Sequence, residues 1–504
     1  MDPIKNLFTF YEKLLAVYEE IIVLETISST LNWDVDTFMP KIAITQKSKQ
    51  LELMAEFIHK RKTSSAIGEL LEEVTEHKYF TDLDYAKQRN VLLIKREYDK
   101  YTKVPEHIEK AFTKQKAITY EKWQIARKKA DFKFYENEQE KLIEIVKDRA
   151  HYLNPDKNPL EVLMDLQEPG LTLQKLKDSF NELKKGLVPL VSACINSSSQ
   201  PDLTLINRFC SKDIQFQIAL DQAAVLGYTN GRIDTSVHPI TYTYYDDTRI
   251  TTRYDENNFT QSFYSVMHEI GHALYGQNYP SEYKYQPIGT ASSGGMHEAM
   301  ARFVENIIGR SDAFWEFYFP QFQRLTGNIY SDTKLDKFIH AVNYVQPSKY
   351  RVEADEVTYT LHLIFRMDIE RALFDDKITV AELPVVWNQK MDEYFNINIC
   401  NDAEGVLQDM HWPYAAFGYF PNFAFGNIYD GQLFWKMTQE LQDWKESIKE
   451  GKIISIINWL KKNVYQNGCL YDSSELMKRV TGKEVSSKYF LEYLKNKYTQ
   501  LYDL

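Results

Sequence analysis

Residues Gln261 to Gln277 read QSFYSVMHEIGHALYGQ and hold His268, Glu269 and His272 in the order H-E-x-x-H. At about 3.6 residues per turn the two histidines lie one turn apart on one helix face, so two imidazoles can share one metal ion with Glu269 beside them. Phe263, Val266, Met267, Ile270 and Leu274 form an apolar stripe at helical spacing, and the histidines project from roughly the opposite side. The pattern predicts a helix packed by its back, with its metal face toward a cleft. H-E-x-x-H also recurs by chance in long chains, where the pair is a solvated surface feature. Buried core histidines fit less well, because both miss the stripe.

Two imidazoles do not complete a catalytic zinc site, which takes three protein ligands and leaves a position for water. Downstream, SSGGMHEAMARFVENIIGRS places turn and capping residues at Ser292 to Gly295, followed by an apolar helical period. Glu298 falls on the polar face and is the expected third ligand. Arg302 and Glu305 share that face, where they either orient the ligand through hydrogen bonds or form a salt-bridged helix surface.

Outward from this pair, the texture is helical almost end to end. Phe8 to Leu31 reads as a helix broken at LNWDVDTFMP, and Pro105 to Leu153 and Leu171 to Val191 read as further helices. ITYTYYDDTRITTRY, Ile240 to Tyr254, is dense in Thr, Tyr and Ile with an Asp246-Asp247 turn signal, and predicts a small β-element leading into the metal helix. Such a strand can present its backbone to an extended peptide. Gly431 to Leu504 reads as helical scaffold. The expected fold is mainly α: a single domain over residues 1–504 with a deep cleft, in which residues about 1–150 are a candidate cleft cover.

The 504 residues are 44% hydrophobic and 26% charged, enough for a large core. Sixty basic against 71 acidic residues leave a net charge of −11, which argues against a nucleic-acid partner. Cys194, Cys210, Cys400 and Cys469 are scattered, without C-x-x-C, and suggest a reducing compartment. The first residues carry acidic groups inside their apolar pattern, unlike a signal peptide or membrane span. A soluble, cytoplasmic protein is expected.

Several further stretches occur in a telling order: His238-Pro239, Asp247-Thr248-Arg249-Ile250-Thr251, the H-E-x-x-H motif, His297-Glu298, Arg351-Val352-Glu353-Ala354-Asp355, then Gly405-x-x-Gln408-Asp409-x-His411-Trp412 with Gly418-Tyr419-Phe420-Pro421. Together they resemble the carboxypeptidase Taq family of zinc metallocarboxypeptidases over essentially the full chain. Departures from the family pattern are Ile240 for Phe, Tyr350 for Ile or Asn, Ala415 for Gly, and Ala299-Met300 for Ser-Gln or Gly-Gln. They bear on substrate preference and leave every ligand in place.

The resemblance implies a large helical metallopeptidase fold, a homodimer, and release of single residues from the free carboxyl terminus of peptides. Zn²⁺ on His268, His272 and Glu298 is then the expected cofactor, with Co²⁺ or Mn²⁺ as alternatives, and Glu269 the base. His411 and Tyr419 are the family-matched donors to the oxyanion. Arg351 is the first choice for gripping the terminal carboxylate, Arg249 the second, with His238 lining the same pocket. A metal-dependent oligopeptidase or dipeptidase would share H-E-x-x-H and the downstream Glu. A helical scaffold with a structural zinc would need a closed coordination shell.

Overall fold

A computed structural model describes residues 3–504. Four helices open the chain: α1 (Pro3–Asp36), α2 (Ile44–Lys62), α3 (Ser65–Thr75) and α4 (Tyr85–Thr102). α3 and α4 start at Ser64 and Asp84, whose side-chain oxygens accept from Ala66 N and Lys87 N. Leu7, Leu14 and Ile21 meet Ile67, Leu71, Val91 and Ile94 in a small core belonging to these helices alone. α1 runs past the expected break at Leu31, because Trp33 is buried edge-on to Tyr242 at 5.8 Å and tertiary packing holds the last turns until Pro40 approaches.

α5 (Glu106–Lys129) and α6 (Glu136–Leu153) form a hairpin that reverses at Ala130, φ 51°. α7 (Pro159–Gln167), α8 (Leu173–Asn196) and α9 (Lys212–Leu226) lead to a three-stranded sheet of β1 (Gly231–Thr235), β2 (Thr241–Tyr244) and β3 (Asp247–Thr252), in the order β1-β3-β2. The expected β-element is the antiparallel β2–β3 hairpin, with Tyr244 paired to Asp247. Its turn therefore falls on Tyr245 and Asp246, one residue before the Asp-Asp pair. Tyr245 takes φ 51° because its ring is buried and its hydroxyl donates to Pro280 O at 3.1 Å, contacts that outweigh local turn preference. β1 pairs parallel with β3 and has no clear alternation to announce it.

α10 (Phe259–Gln277) and α11 (Gly294–Arg302) follow, then α12 (Asp312–Thr326), α13 (Leu335–Val342), α14 (Tyr359–Phe374), α15 (Leu383–Phe395) and α16 (Phe420–Glu440). α17 (Trp444–Lys449), α18 (Ile454–Asn463), α19 (Ser473–Thr481) and α20 (Lys488–Tyr502) complete the body, whose core runs continuously from Trp123 to Tyr502. No helix among the described residues is long and apolar enough to cross a membrane.

Two glycines set the spacing around α11. A Cβ on Gly271, between the two histidines, would lie 2.5 Å from Met300 O and 2.6 Å from Ala301 Cα, so α10 and α11 meet backbone to backbone. A Cβ on Gly426 would lie 2.8 Å from Glu298 Cγ, so α16 closes on the other side of the carboxylate.

Candidate active site

The expected stripe of α10 is buried, and His268 and His272 keep 17% and 16% of their side chains exposed. α11 begins at Ser293, whose hydroxyl accepts from Met296 N at 3.0 Å, while buried Glu168 accepts from Gly295 N at 3.1 Å. Glu298 thereby faces the histidines: its Oε2 is 3.8 Å from His268 Nε2 and 3.7 Å from His272 Nε2. All three ligand atoms lie within 4.8 Å of one another. A tetrahedral centre with bonds of about 2.0–2.2 Å spaces its ligands roughly 3.4 Å apart, so this donor set fits one small divalent cation after slight contraction. Two imidazoles and a carboxylate are also chemically suited to zinc or its neighbours.

Each ligand is held from behind. α11 passes into a π-helical turn, Phe303–Ile308, which carries Glu305 to 2.9 Å from His268 Nδ1. Arg302 Nε donates to Glu298 Oε1 at 2.9 Å and its Nη1 is 3.3 Å from Glu305 Oε2, leaving Glu298 Oε2 for a metal. Arg302 and Glu305 are therefore part of the site and not a solvated surface. Burial pushes Glu305 up, but Arg302 and His268 outweigh it and hold the carboxyl at about 2. His272 Nδ1 lies 2.9 Å from His297 O and 2.6 Å from His297 Nδ1. Burial pushes His297 down to about 4, so its neutral ring accepts there.

Glu269 is buried, and its Oε2 accepts from Thr241 Oγ1 of β2 at 2.6 Å. Burial pushes this carboxyl up to about 7, against the pull of His268 and the Thr241 hydroxyl. Sequence alone does not single out Thr241, whose one signal is the β-branched run that places a strand before the metal helix.

A cleft of about 1820 Å³ opens over these groups, with α1 and α4 contributing one wall through Tyr18, Ile22 and Arg96. A second stretch of the wall carries Arg351, His411 and Tyr419. The Arg351 guanidinium lies over the Phe423 ring at 5.4 Å and donates from Nη1 to Tyr359 OH at 3.3 Å, while its buried Nε has no hydrogen-bond partner. Asp409 joins this wall together. Its Oδ1 accepts from His411 N at 3.1 Å and contacts His411 Nδ1; its Oδ2 is 2.6 Å from Arg366 Nε and 3.8 Å from Arg351 Nε. Burial pushes Asp409 up, but His411 and Arg366 hold it well below the usual carboxylate range. With Nδ1 tied to Asp409, His411 has Nε2 left for the cleft.

Tyr419 stands 5.6 Å from the His411 ring, and burial raises its phenol pKa, helped by Glu298. His238 is exposed where it lines the cleft, with Nδ1 2.7 Å from Pro239 O. Arg249 stands apart from all of these: its guanidinium is forked onto Asp247 at 2.6 and 2.8 Å and lies 5.9 Å from the Trp33 ring centre, outside the residues that line the cleft.

The family model for carboxypeptidase Taq (M32) metallopeptidases matches residues 13–498. The chain belongs to the M32 family. It is 36% identical over 493 residues to carboxypeptidase 1 of Bacillus subtilis, covering 97% of each chain, and 33% identical to thermostable carboxypeptidase 1 of Thermus thermophilus, covering 98% of this chain and 99% of that one. The crystal structure of the M32 carboxypeptidase from Deinococcus radiodurans superimposes with a TM-score of 0.95 at 29% identity, covering 98% of this chain and all of that one. The protein is a metallocarboxypeptidase.

The departures from the M32 pattern sit differently in this enzyme. Ala299 and Met300 lie within α11 and are fully buried. Ala415, where a glycine is usual, takes φ 60°. That conformation costs an L-residue about 1–2 kcal/mol, partly offset by the larger unfolded-state entropy of glycine. Ala415→Gly is therefore expected to raise stability by about 0.5–1 kcal/mol, read as a higher urea midpoint at unchanged slope.

Proposed function

We propose that this enzyme removes single amino acids from the free carboxyl end of peptides at a zinc site held by His268, His272 and Glu298. The observation that carries the reading is the cleft shared by this donor set, Glu269 and Arg351, whose buried Nε makes no hydrogen bond. Zinc, when bound, supplies Lewis-acid polarisation of the scissile carbonyl and acidifies water. Glu269, steered by Thr241, takes the proton of the attacking water and passes it to the leaving amine. Its raised pKa suits it to both transfers near neutral pH, and a nearby cation favours the ionised form from which it starts.

Arg351 is assigned the terminal carboxylate. Its planar fork suits a carboxylate bidentately, and the aromatic rings under it exclude water. His411 and Tyr419 are assigned to the oxyanion that develops at the scissile carbonyl oxygen, with His411 oriented by Asp409. His238 lines the substrate side of β2, and Arg249 is the weaker candidate for the carboxylate because Asp247 already occupies its fork. The whole chain acts as one catalytic unit, with α1 to α4 covering the cleft.

The four unpaired cysteines, three of them buried, support a cytoplasmic location. Exposed Phe8, Phe38, Ile42 and Phe57 on the N-terminal helices and their connections are apolar surface that a homodimer would cover, a state measurable by sedimentation.

The test is mass spectrometry of a peptide panel, each member as free acid and as carboxyl-terminal amide, with and without a chelator. Stepwise loss of single residues from free acids only, abolished by chelation, supports the reading. Internal cleavage that ignores amidation sinks it. In the same assay Arg351→Ala is expected to raise KM for free acids roughly 30-fold or more, since it removes a charge-assisted, water-excluded contact. An unchanged KM would return attention to Arg249.

A further inference from the structure

Glu370 lies on α14, fully buried, and is neither one of the three metal donors nor one of the residues that line the cleft. Its Oε1 accepts from Trp412 Nε1 at 2.8 Å and its Oε2 accepts from Gly418 N at 2.8 Å. Trp412 directly follows His411, and Gly418 directly precedes Tyr419. One carboxylate thus holds the chain at the residue next to each assigned oxyanion donor.

The segment between them is a tight coil: Ala415 N donates to Trp412 O at 3.0 Å and Ala416 N to His411 O at 2.8 Å. Ala415 and Gly418 both adopt positive φ, at 60° and 70°. Such a coil is not stabilised by a helix or strand ladder, so its two ends need an external reference. A carboxylate is suited to that: it offers two acceptors in one rigid plane and no donor, whereas an amide would set an N–H against one of the two N–H groups. Burial pushes the Glu370 carboxyl up, and the N–H groups of Gly418 and Trp412 pull against that, because each donates to the ionised form. A residue needed only for packing there would be apolar.

We propose that Glu370 is a positioning residue for the reaction: by bridging Trp412 and Gly418 it sets the separation and direction of His411 and Tyr419 against the developing oxyanion. This rests on the assignment of His411 and Tyr419 to that role. Glu370 acts through those two side chains, so its effect belongs to kcat and not to metal retention or peptide affinity.

The experiment measures kcat, KM and bound zinc for Glu370→Gln and Trp412→Phe, each alone and in a His411→Ala/Tyr419→Phe background. Glu370→Gln is expected to lower kcat roughly 10- to 100-fold with KM and zinc content within about twofold of the wild type. In the double background the further loss should shrink to less than about threefold, because the groups being positioned are gone. Trp412→Phe keeps an aromatic ring while removing the Nε1 donor together with part of the buried indole, so it should lower kcat in the same direction and tests the bridge even if Glu370→Gln does not fold.

Unchanged kcat in both variants overturns the proposal. So does a loss that multiplies in full on the double background, or one carried by zinc content or KM. If His411→Ala and Tyr419→Phe themselves keep normal kcat, the assignment beneath the proposal falls and the proposal falls with it, a result distinguishable from the others.

Discussion

Glu269→Gln is expected to retain the bound metal and to lose turnover, with kcat falling roughly 10²- to 10⁴-fold, the range that positioned general bases supply. The substitution is nearly isosteric, and Thr241 Oγ1 can still donate to the amide oxygen, so the β2–α10 contact survives. None of the three donor atoms is altered, because they belong to His268, His272 and Glu298. An amide cannot accept and return the water proton, so the loss belongs to chemistry: KM for free-acid peptides stays close to the wild-type value. Metal analysis beside steady-state kinetics checks both halves. Turnover equal to the wild type would remove Glu269 as the base, while lost metal would recast it as a structural partner of the site.

Asp409→Asn is expected to cost about 3–5 kcal/mol of stability, the penalty for removing one partner of a buried ion pair. Arg366 is fully buried, and its Nε sits 2.6 Å from Asp409 Oδ2. Its remaining partners, Gln408 Oε1 at 3.1 Å and His362 O at 2.9 Å, accept hydrogen bonds but carry no charge. The same change removes the charge that holds His411 Nδ1, so activity should fall even where the protein is still folded. Urea unfolding at constant slope reads the first effect and kcat below the transition reads the second. A loss under about 1 kcal/mol would mean that the Arg366 charge is neutralised elsewhere.

The sequence by itself determined what rests on local geometry. H-E-x-x-H puts His268 and His272 on one face because helical rise is fixed, and the stripe from Phe263 to Leu274 marks the back of that helix. The same spacing placed Glu298, Arg302 and Glu305 on one face of the next helix. The ordered motifs identified the family, and the Thr/Tyr/Ile run located β2 and β3.

Only the tertiary structure decided which distant groups meet. Thr241 reaches Glu269, Arg366 reaches Asp409, and Glu370 reaches both ends of the Trp412–Gly418 coil across long separations in sequence. It separated Arg351 from Arg249 as well, since each is an arginine beside acidic residues until Asp247 is seen to occupy the fork of one, while the other lines the cleft with an Nε that makes no hydrogen bond. Helix extension to Trp33 and the turn at Tyr245 were hidden for the same reason: buried aromatic contacts outweighed the local signals of Leu31 and Asp246-Asp247. Spacing along a helix is encoded by neighbours in the chain, whereas the partner of a buried polar group is set by whichever element packs against it.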